Sequence, residues 1–338
     1  MQSKQVIIVE PGRVELREVD IDEQLAPNQA LVKACHSIIS SGTEGATFTG
    51  LATRMPLVGH RTTYPSATGY GHVGEVLAVG EAVTMCRPGD VVLSFSGHAS
   101  VVKADASRMA LPVPAGMSTI HAAFARMAGV SIAALRSSSV EPGDQVLVLG
   151  LGLVGNFAAQ LFQLAGADVI AVDVAPTRLE IARACGIRRA VLSSDVEEAV
   201  RDWTGGSGAV VTVEATGISE QAARGVMLTR RHGEVILLGS PRAEAVFDVT
   251  PMLLRAHLEA IRIVGSLEWT WPQHPVERGR HDITSNYRQL LGWLQTGRLV
   301  CDPLLSHLVS PASCQDVYEG LTSRRDEYVA AVFDWNQV

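Results

Sequence analysis

The feature that most constrains the fold is a glycine pattern in the middle of the chain, Gly150-Leu151-Gly152-Leu153-Val154-Gly155. It follows the apolar run Gln145–Leu149, which is typical of a buried strand, and it opens a helical pattern that continues to Ala165. The first glycine permits a tight turn, the second lets the backbone approach a pyrophosphate, and the third lets the helix pack closely on the strand. The N–H groups that start the helix would face the phosphate charge. We therefore predict a dinucleotide site lined by Gly150, Gly152, Leu153, Val154 and Gly155.

An acidic residue follows the next strand. Asp173 comes directly after Asp168–Val172, about 20 residues beyond the glycines, where a carboxylate binds the adenosine ribose hydroxyls. A carboxylate at this position would repel a 2′-phosphate, so the sequence predicts NAD rather than NADP as the cofactor. Arg178 could instead indicate a site for the 2′-phosphate of NADP. However, no basic residue directly follows Asp173, and we expect Arg178 to cap or flank the adenine. The alternative for Asp173 is an ordinary helix N-cap, a position that also favours aspartate.

Strands and helices alternate through the rest of this region. Further apolar strands are predicted at Ala209–Val213, Glu234–Leu238 and Ala260–Val264, and such an order is typical of a parallel sheet buried on both faces. Ligands of such sheets bind beyond the carboxyl ends of the strands. We therefore predict cofactor-lining loops at two strand ends, one carrying Ala215 and Thr216 and the other Gly239 and Ser240. The alternative is that both are ordinary tight turns.

The first third of the chain has a different pattern. Short apolar runs separated by Gly, Pro and Ser clusters indicate a β-barrel or curled sheet rather than βαβ units. The predicted fold class is α/β, with a GroES-like β-barrel catalytic domain and a doubly wound, parallel-sheet Rossmann domain. The predicted domains are residues 1–122 for the first part of the barrel domain, 123–268 for the nucleotide domain, and 269–338 for the return to the barrel domain.

Composition excludes several classes of protein. With 47% apolar and 19% charged residues, the chain can fill cores and does not resemble a disordered sequence. The net charge of −7 and the lack of a basic run argue against a nucleic-acid partner. We find no apolar stretch long enough to cross a bilayer and no secretory signal, and no two cysteines have metal-knuckle spacing. These features predict a cytoplasmic protein with reduced cysteines and no membrane partner.

Phrases along nearly the whole chain resemble the medium-chain dehydrogenase/reductase superfamily. They are Val140-Glu141-Pro142-Gly143-Asp144, Gly74-Glu75-Val76, Pro88-Gly89-Asp90-Val91-Val92 and the closing Tyr328–Phe333. The resemblance implies hydride transfer with a nicotinamide cofactor, and an order in which a nucleotide domain is inserted into a barrel-like catalytic domain. It also implies that the outer strand of the nucleotide sheet pairs across a two-fold axis, so a homodimer or a dimer of dimers is expected.

The departures from the family pattern concern its zinc site. Zinc members carry a Cys-Gly-Thr-Asp-like motif, a Gly-His-Glu motif and, in polyol-type members, an acid on the helix before the nucleotide domain. Here the corresponding positions hold Ser41, Tyr70 and Arg126, or Ala125 if the helix is aligned one residue earlier. Because zinc needs about three ligands from Cys, His, Asp or Glu, these residues cannot hold it. We predict no metal, and the chain is most similar to the zinc-free branch near bacteriochlorophyllide a dehydrogenase and to sugar and cyclitol dehydrogenases.

The resemblance implies which residues replace the metal. We expect Tyr70 to act as proton acceptor and donor, Thr43 to relay the proton and Arg126 to hold the reacting oxygen, with Ser41 and His72 beside them. The alternative is that Tyr70 only fills the space of the zinc. The expected reaction interconverts a secondary alcohol and a ketone with NAD(H), on a small polyhydroxylated substrate. A metal-free reductase of enones or quinones and a non-catalytic dinucleotide-binding protein stay open as alternatives.

Overall fold

The computed structural model describes residues 1–54, 62–277 and 279–338. The chain divides into two compact units. Unit 1 comprises Met1–Met127, Gln273–Gly297 and Leu304–Val338, and unit 2 comprises Ala128–Pro272 and Arg298–Pro303. The domain bounds predicted from the sequence stay a prediction.

The first part of unit 1 is built from short strands. Its elements, in chain order, are β1 (Gln2–Glu10), β2 (Arg13–Asp20), β3 (Gln29–Ile38), α1 (Ser41–Phe48), α2 (Leu51–Arg54), β4 (Ser66–Ala67), β5 (His72–Val79), β6 (Val91–Ser94), β7 (Val101–Asp105) and β8 (Ala110–Pro112). The helix α3 (Thr119–Ser137) follows. Ser41 to Glu44, expected to carry a site motif, form the first turn of α1.

Unit 2 alternates strands and helices as predicted. Its elements are β9 (Gln145–Leu149), α4 (Leu153–Leu164), β10 (Asp168–Asp173), α5 (Pro176–Ala184), β11 (Arg189–Leu192), α6 (Val196–Thr204), β12 (Ala209–Glu214), α7 (Ser219–Leu228), β13 (Thr229–Leu237), α8 (Thr250–Glu259) and β14 (Arg262–Gly265). The six strands lie in the order β11-β10-β9-β12-β13-β14, and all pairs are parallel. Val146 to Leu149 of the central strand β9 are at most 2% exposed, as expected for a sheet covered on both faces.

The last elements return to unit 1. They are α9 (Ile283–Gln295), β15 (Leu305–Val309), α10 (Cys314–Ser323) and β16 (Ala330–Asp334). Strand β16 pairs with β3, so the end of the chain completes a seven-stranded sheet in which β15, β16, β3, β5, β6 and β8 follow one another and β7 also pairs with β3. A second sheet of three strands has the order β2-β1-β4.

The predicted fold class is confirmed, because a parallel Rossmann sheet and a separate curled-sheet unit are both present. Some strand bounds were wrong. The strand predicted at Glu234–Leu238 already begins at Thr229 and ends at Leu237. The strand predicted at Ala260–Val264 begins at Arg262, because Ala260 instead ends α8 in the left-handed conformation that closes many helices. In the described ranges, none of the helices combines the length and the apolar character that a membrane span requires.

Candidate functional site

In unit 2, the glycine pattern forms the turn between β9 and α4. Gly150 has φ +93°, a conformation that favours glycine. A Cβ on Gly155 would lie 1.9 Å from the carbonyl oxygen of Gly150, so only glycine allows the helix to come this close to the turn. Gly152 is the N-cap of α4, and a Cβ there would meet no atom within 4 Å. Leu153 and Val154 begin the helix, so their backbone N–H groups belong to its free first turn. This open, glycine-lined helix start fits a dinucleotide pyrophosphate.

Asp173 is fixed at the carboxyl end of β10. Its Oδ2 accepts a hydrogen bond from the Leu151 N–H at 2.7 Å, and its Oδ1 accepts one from the Ala175 N–H at 3.0 Å. Each carboxylate oxygen has a second lone pair, so both can still accept a ribose hydroxyl. The next residue is the exposed Val174. Arg178, expected beside the adenine, is 9% exposed in the first turn of α5.

The two predicted loops at the ends of β12 and β13 lie against each other. A Cβ on Gly239 would lie 2.2 Å from the Gly217 nitrogen, and the Gly239 N–H donates to the Glu214 carbonyl at 2.7 Å. The Thr216 hydroxyl donates to the Glu214 side chain, so it shapes the loop that carries Ala215. Burial raises the pKa of Glu214 despite these hydrogen bonds. Ser240 also contacts this turn, since its carbonyl oxygen would lie 2.7 Å from a Cβ on Gly217.

In unit 1, Tyr70 belongs to a cluster of hydroxyl groups. Its hydroxyl donates to Ser40 Oγ and lies 3.4 Å from Thr43 Oγ1. Ser40 is the N-cap of α1 and is buried, whereas Thr43 and Tyr70 are partly exposed. The described hydrogen bonds of Tyr70 therefore run to Ser40 and not to Ser41, the serine that the sequence pattern indicated. The adjacent pair Ser40-Ser41 is the signal that sequence reasoning missed.

The Arg126 side chain lies against the Tyr70 ring. Its guanidinium carbon is 4.5 Å from the centre of the Tyr70 ring, 4.8 Å from that of Phe95 and 5.9 Å from that of Tyr287. Its Nη1 also donates to the Tyr287 hydroxyl. The side chain is only 1% exposed, so a fixed positive charge is enclosed by aromatic rings, which stabilise cations.

Gly71 makes room for this arginine. A Cβ there would lie 2.9 Å from Arg126 Cγ and 2.8 Å from Ile38 Cγ2. In the resembling zinc enzymes, this position holds the glutamate of the Gly-His-Glu motif. A side chain at this position would therefore collide with Arg126 and Ile38 as they lie here.

These residues do not fit a zinc ion. A serine, a phenol and a guanidinium offer no set of Cys, His, Asp or Glu ligands. A second positive charge would also lie beside the buried Arg126 guanidinium, which repels cations at short range.

His72 lies apart from the hydroxyl cluster. It is fully buried on β5, with Nδ1 3.4 Å from Ser94 Oγ of β6, and its described hydrogen bonds do not reach Tyr70. Burial, and second the neighbouring His98, lower the pKa of His72 to about 4. At neutral pH the ring is therefore an uncharged part of the core. Its expected place beside Tyr70 is not supported by this geometry.

This burial predicts a pH dependence of stability. Between pH 6.5 and about 4, an unfolded chain binds a proton at His72 that the folded chain does not. We expect this residue to lower the free energy of unfolding by about 2 kcal/mol when the pH falls from 7 to 5. Urea unfolding at both pH values should show that His72→Gln loses less free energy of unfolding between pH 7 and 5 than wild type does. His257 is exposed, so His257→Gln should lose as much as wild type. Equal losses in all three proteins would refute the buried neutral ring.

Comparisons with known proteins agree with the fold. A family model described as zinc-binding dehydrogenase matches residues 154–276. D-guloside 3-dehydrogenase of Shigella flexneri is 28% identical over 254 residues, which are 73% of this chain and 71% of that protein. Erythritol/L-threitol dehydrogenase of Mycolicibacterium smegmatis is 32% identical over 179 residues, 48% of this chain and 47% of that protein. The crystal structure of galactitol-1-phosphate dehydrogenase from Escherichia coli has a TM-score of 0.82 at 18% identity, covering 98% of this chain and 99% of that one.

Proposed function

Because the chain belongs to the medium-chain dehydrogenase/reductase superfamily, we propose that it is an NAD(H)-dependent, zinc-independent oxidoreductase that interconverts a secondary alcohol and a ketone. The observation that carries the proposal is the Tyr70 hydroxyl cluster with the Arg126 charge behind it. The sequence resemblance aligns Tyr70 and Arg126 with metal ligands of the family. The relatives named for D-guloside and for erythritol and threitol support a polyhydroxylated substrate.

The proposed cofactor site is the start of α4 with Asp173. Gly150, Gly152 and Gly155 leave room for the pyrophosphate, and Asp173 presents a fixed carboxylate to the ribose. NADH bound there would supply the hydride, and NAD would take it up.

The proposed acid–base group is Tyr70. In the reduction of a ketone, its hydroxyl gives a proton to the carbonyl oxygen while the carbonyl carbon receives the hydride, and an alcohol results. Ser40 Oγ and Thr43 Oγ1 orient the phenol, and the partly exposed Thr43 can return the proton from solvent. Arg126 stabilises the negative charge on the phenol oxygen as the proton leaves. Since Arg126 is enclosed, we propose that it acts through Tyr70 and does not hold the substrate oxygen directly.

A screen for substrates tests this function. Purified protein with NADH should reduce members of a panel of keto-sugars and oxidised cyclitols. The loss of NADH absorbance measures the reaction. Turnover of enones or quinones with NADPH would instead support a C=C or quinone reductase. Tight NADH binding without turnover of any ketone or alcohol would support a non-catalytic binding protein.

We also propose that the chain forms a homodimer or a dimer of dimers. Strand β14 is one of the two outer strands of the described unit 2 sheet, and Ile263 on it is 43% exposed. The preceding helix α8 exposes Leu253, Leu254 and Leu258 by more than half. Open edges and apolar patches of this kind are usually covered by a partner. Light scattering at micromolar concentration should give at least twice the monomer mass, and a strictly monomeric species would contradict the proposal.

A further inference from the structure

A buried glutamate one turn along α1 connects the chain segments around Tyr70. Glu44 is 3% exposed, and its carboxylate accepts four hydrogen bonds. Its Oε1 accepts the Ser40 N–H at 2.7 Å. Its Oε2 accepts from Thr68 Oγ1 at 2.7 Å, from the Tyr318 hydroxyl at 2.5 Å and from His98 Nε2 at 3.0 Å. A buried carboxylate is stable only when its oxygens are satisfied in this way.

The donors keep this group ionised. Burial alone would raise the pKa of Glu44, but the His98 ring and the donated hydrogen bonds outweigh it and hold the pKa below the usual value. His98 is itself held from its other side, since its Nδ1 lies 2.8 Å from Ser37 Oγ, which also accepts a hydrogen bond from the Trp335 indole Nε1–H at 2.8 Å. The carboxylate is therefore anchored to β3 and to the end of the chain.

Three of the four contacts lead to Tyr70. Ser40 supplies the hydroxyl group that accepts the Tyr70 proton, and its N–H is held by Glu44. Thr68 lies two residues before Tyr70 in the same loop. The His98 ring packs under Gly69, where a Cβ would lie 2.6 Å from the ring, and the His98 N–H donates to the Thr68 carbonyl at 2.8 Å. One carboxylate thus joins the segment that carries Tyr70 to the helix start that carries its hydrogen-bond partner.

We propose that Glu44 is a positioning residue for Tyr70, because its carboxylate holds Ser40 and the Thr68–Tyr70 loop at the spacing that the Tyr70–Ser40 hydrogen bond requires. The effect of Glu44 on catalysis rests on the proposed function, in which Tyr70 is the acid–base group. The geometric part can be tested without turnover. The competing explanation is that Glu44 only satisfies buried donors and stabilises unit 1.

The test uses tyrosine labelled with ¹³C at Cζ. The chain has five tyrosines, so five signals are expected, and Tyr70→Phe assigns the signal of Tyr70. In Glu44→Gln, the side chain would face the same four donors with one acceptor oxygen instead of two, and its NH₂ group would lie against at least one of them, so the loop and Ser40 should move apart. We expect the Tyr70 signal to shift or broaden, and kcat to fall about tenfold with the KM for NADH unchanged, because a small misplacement of a reacting group lowers the rate.

Asp334→Asn is the matched control. The Asp334 carboxylate also accepts several hydrogen bonds in unit 1, from the Asn336 N–H, from Asn336 Nδ2 and from Gln337 Nε2. This variant should leave the Tyr70 signal and kcat unchanged. If Glu44→Gln does not fold, Thr68→Val removes one donor of the same carboxylate at nearly constant volume and should still move the Tyr70 signal.

The outcomes separate this inference from the proposed function. An unmoved Tyr70 signal in folded Glu44→Gln, or in Thr68→Val where the first variant fails, would overturn the positioning role whatever the activity. A moved signal combined with normal turnover of Tyr70→Phe would support the positioning role and overturn the catalytic role of Tyr70.

Discussion

Replacing Tyr70 with phenylalanine is expected to lower kcat for ketone reduction by at least about a hundredfold, with NADH affinity unchanged. The change removes the hydroxyl group, which is the only proton donor that we assign to the reaction. General acid–base groups typically raise the rate by about 10²–10⁴-fold. The aromatic ring beside the Arg126 guanidinium is retained. Steady-state kinetics with the best ketone of the screen, together with NADH titration, measure both quantities.

Tyr64→Phe is the matched control for this experiment. Tyr64 is also partly exposed in unit 1, and its hydroxyl donates to the Thr47 carbonyl of α1 at 2.5 Å. Loss of this hydrogen bond should cost about 1 kcal/mol of stability and leave kcat near the wild-type value. If Tyr70→Phe also keeps near-normal turnover, Tyr70 only fills space and the proton donor lies elsewhere.

The second large effect concerns the choice of cofactor. We expect NADH to bind on the order of tenfold to a hundredfold more tightly than NADPH, since hydrogen bonds to a charged group contribute about 1.5–3 kcal/mol. The Asp173 carboxylate is held by two backbone N–H groups, so it cannot turn away from a 2′-phosphate without losing them. Asp173→Ser should bring the two dissociation constants close to each other, mainly by weakening NADH.

Asp202→Ser provides the control, because Asp202 is an exposed acid of the same unit. Asp202→Ser should keep the wild-type preference for NADH over NADPH. This result would exclude an effect of net charge alone. Fluorescence titration of both dinucleotides gives the constants. Equal or tighter binding of NADPH by wild type would show that Asp173 does not select for the free ribose hydroxyls of NADH.

The nucleotide unit could be predicted well because its determinants are local. The turn at Gly150 to Gly155 is specified by residues adjacent in the chain. The apolar run before it was predicted as a strand with the bounds that β9 has. The predicted order of strands and helices then follows from the short connections of a parallel sheet. Ala260 was misplaced because an alanine in left-handed backbone leaves no sign in the sequence.

The hydroxyl cluster could be predicted only in part. Tyr70 and Arg126 could be placed together through the family's ligand positions, but Ser40 and Ser41 could not be told apart without the position of the α1 N-cap. The environment of Glu44 was out of reach, because its partners His98 and Tyr318 lie 54 and 274 residues away in the chain. His72 was predicted to lie at the site as a polar residue that suits a hydroxylated substrate, whereas β5 places its ring in the core.

We propose that Tyr70 and Arg126 take the place of a metal ion in this oxidoreductase. The most direct measurement determines zinc in the purified protein by elemental analysis and compares NADH-dependent ketone reduction before and after treatment with a strong chelator. We predict far less than one zinc per chain and the same kcat in both samples. One zinc per chain, removed by the chelator together with the activity and restored with it, would show that the enzyme depends on zinc.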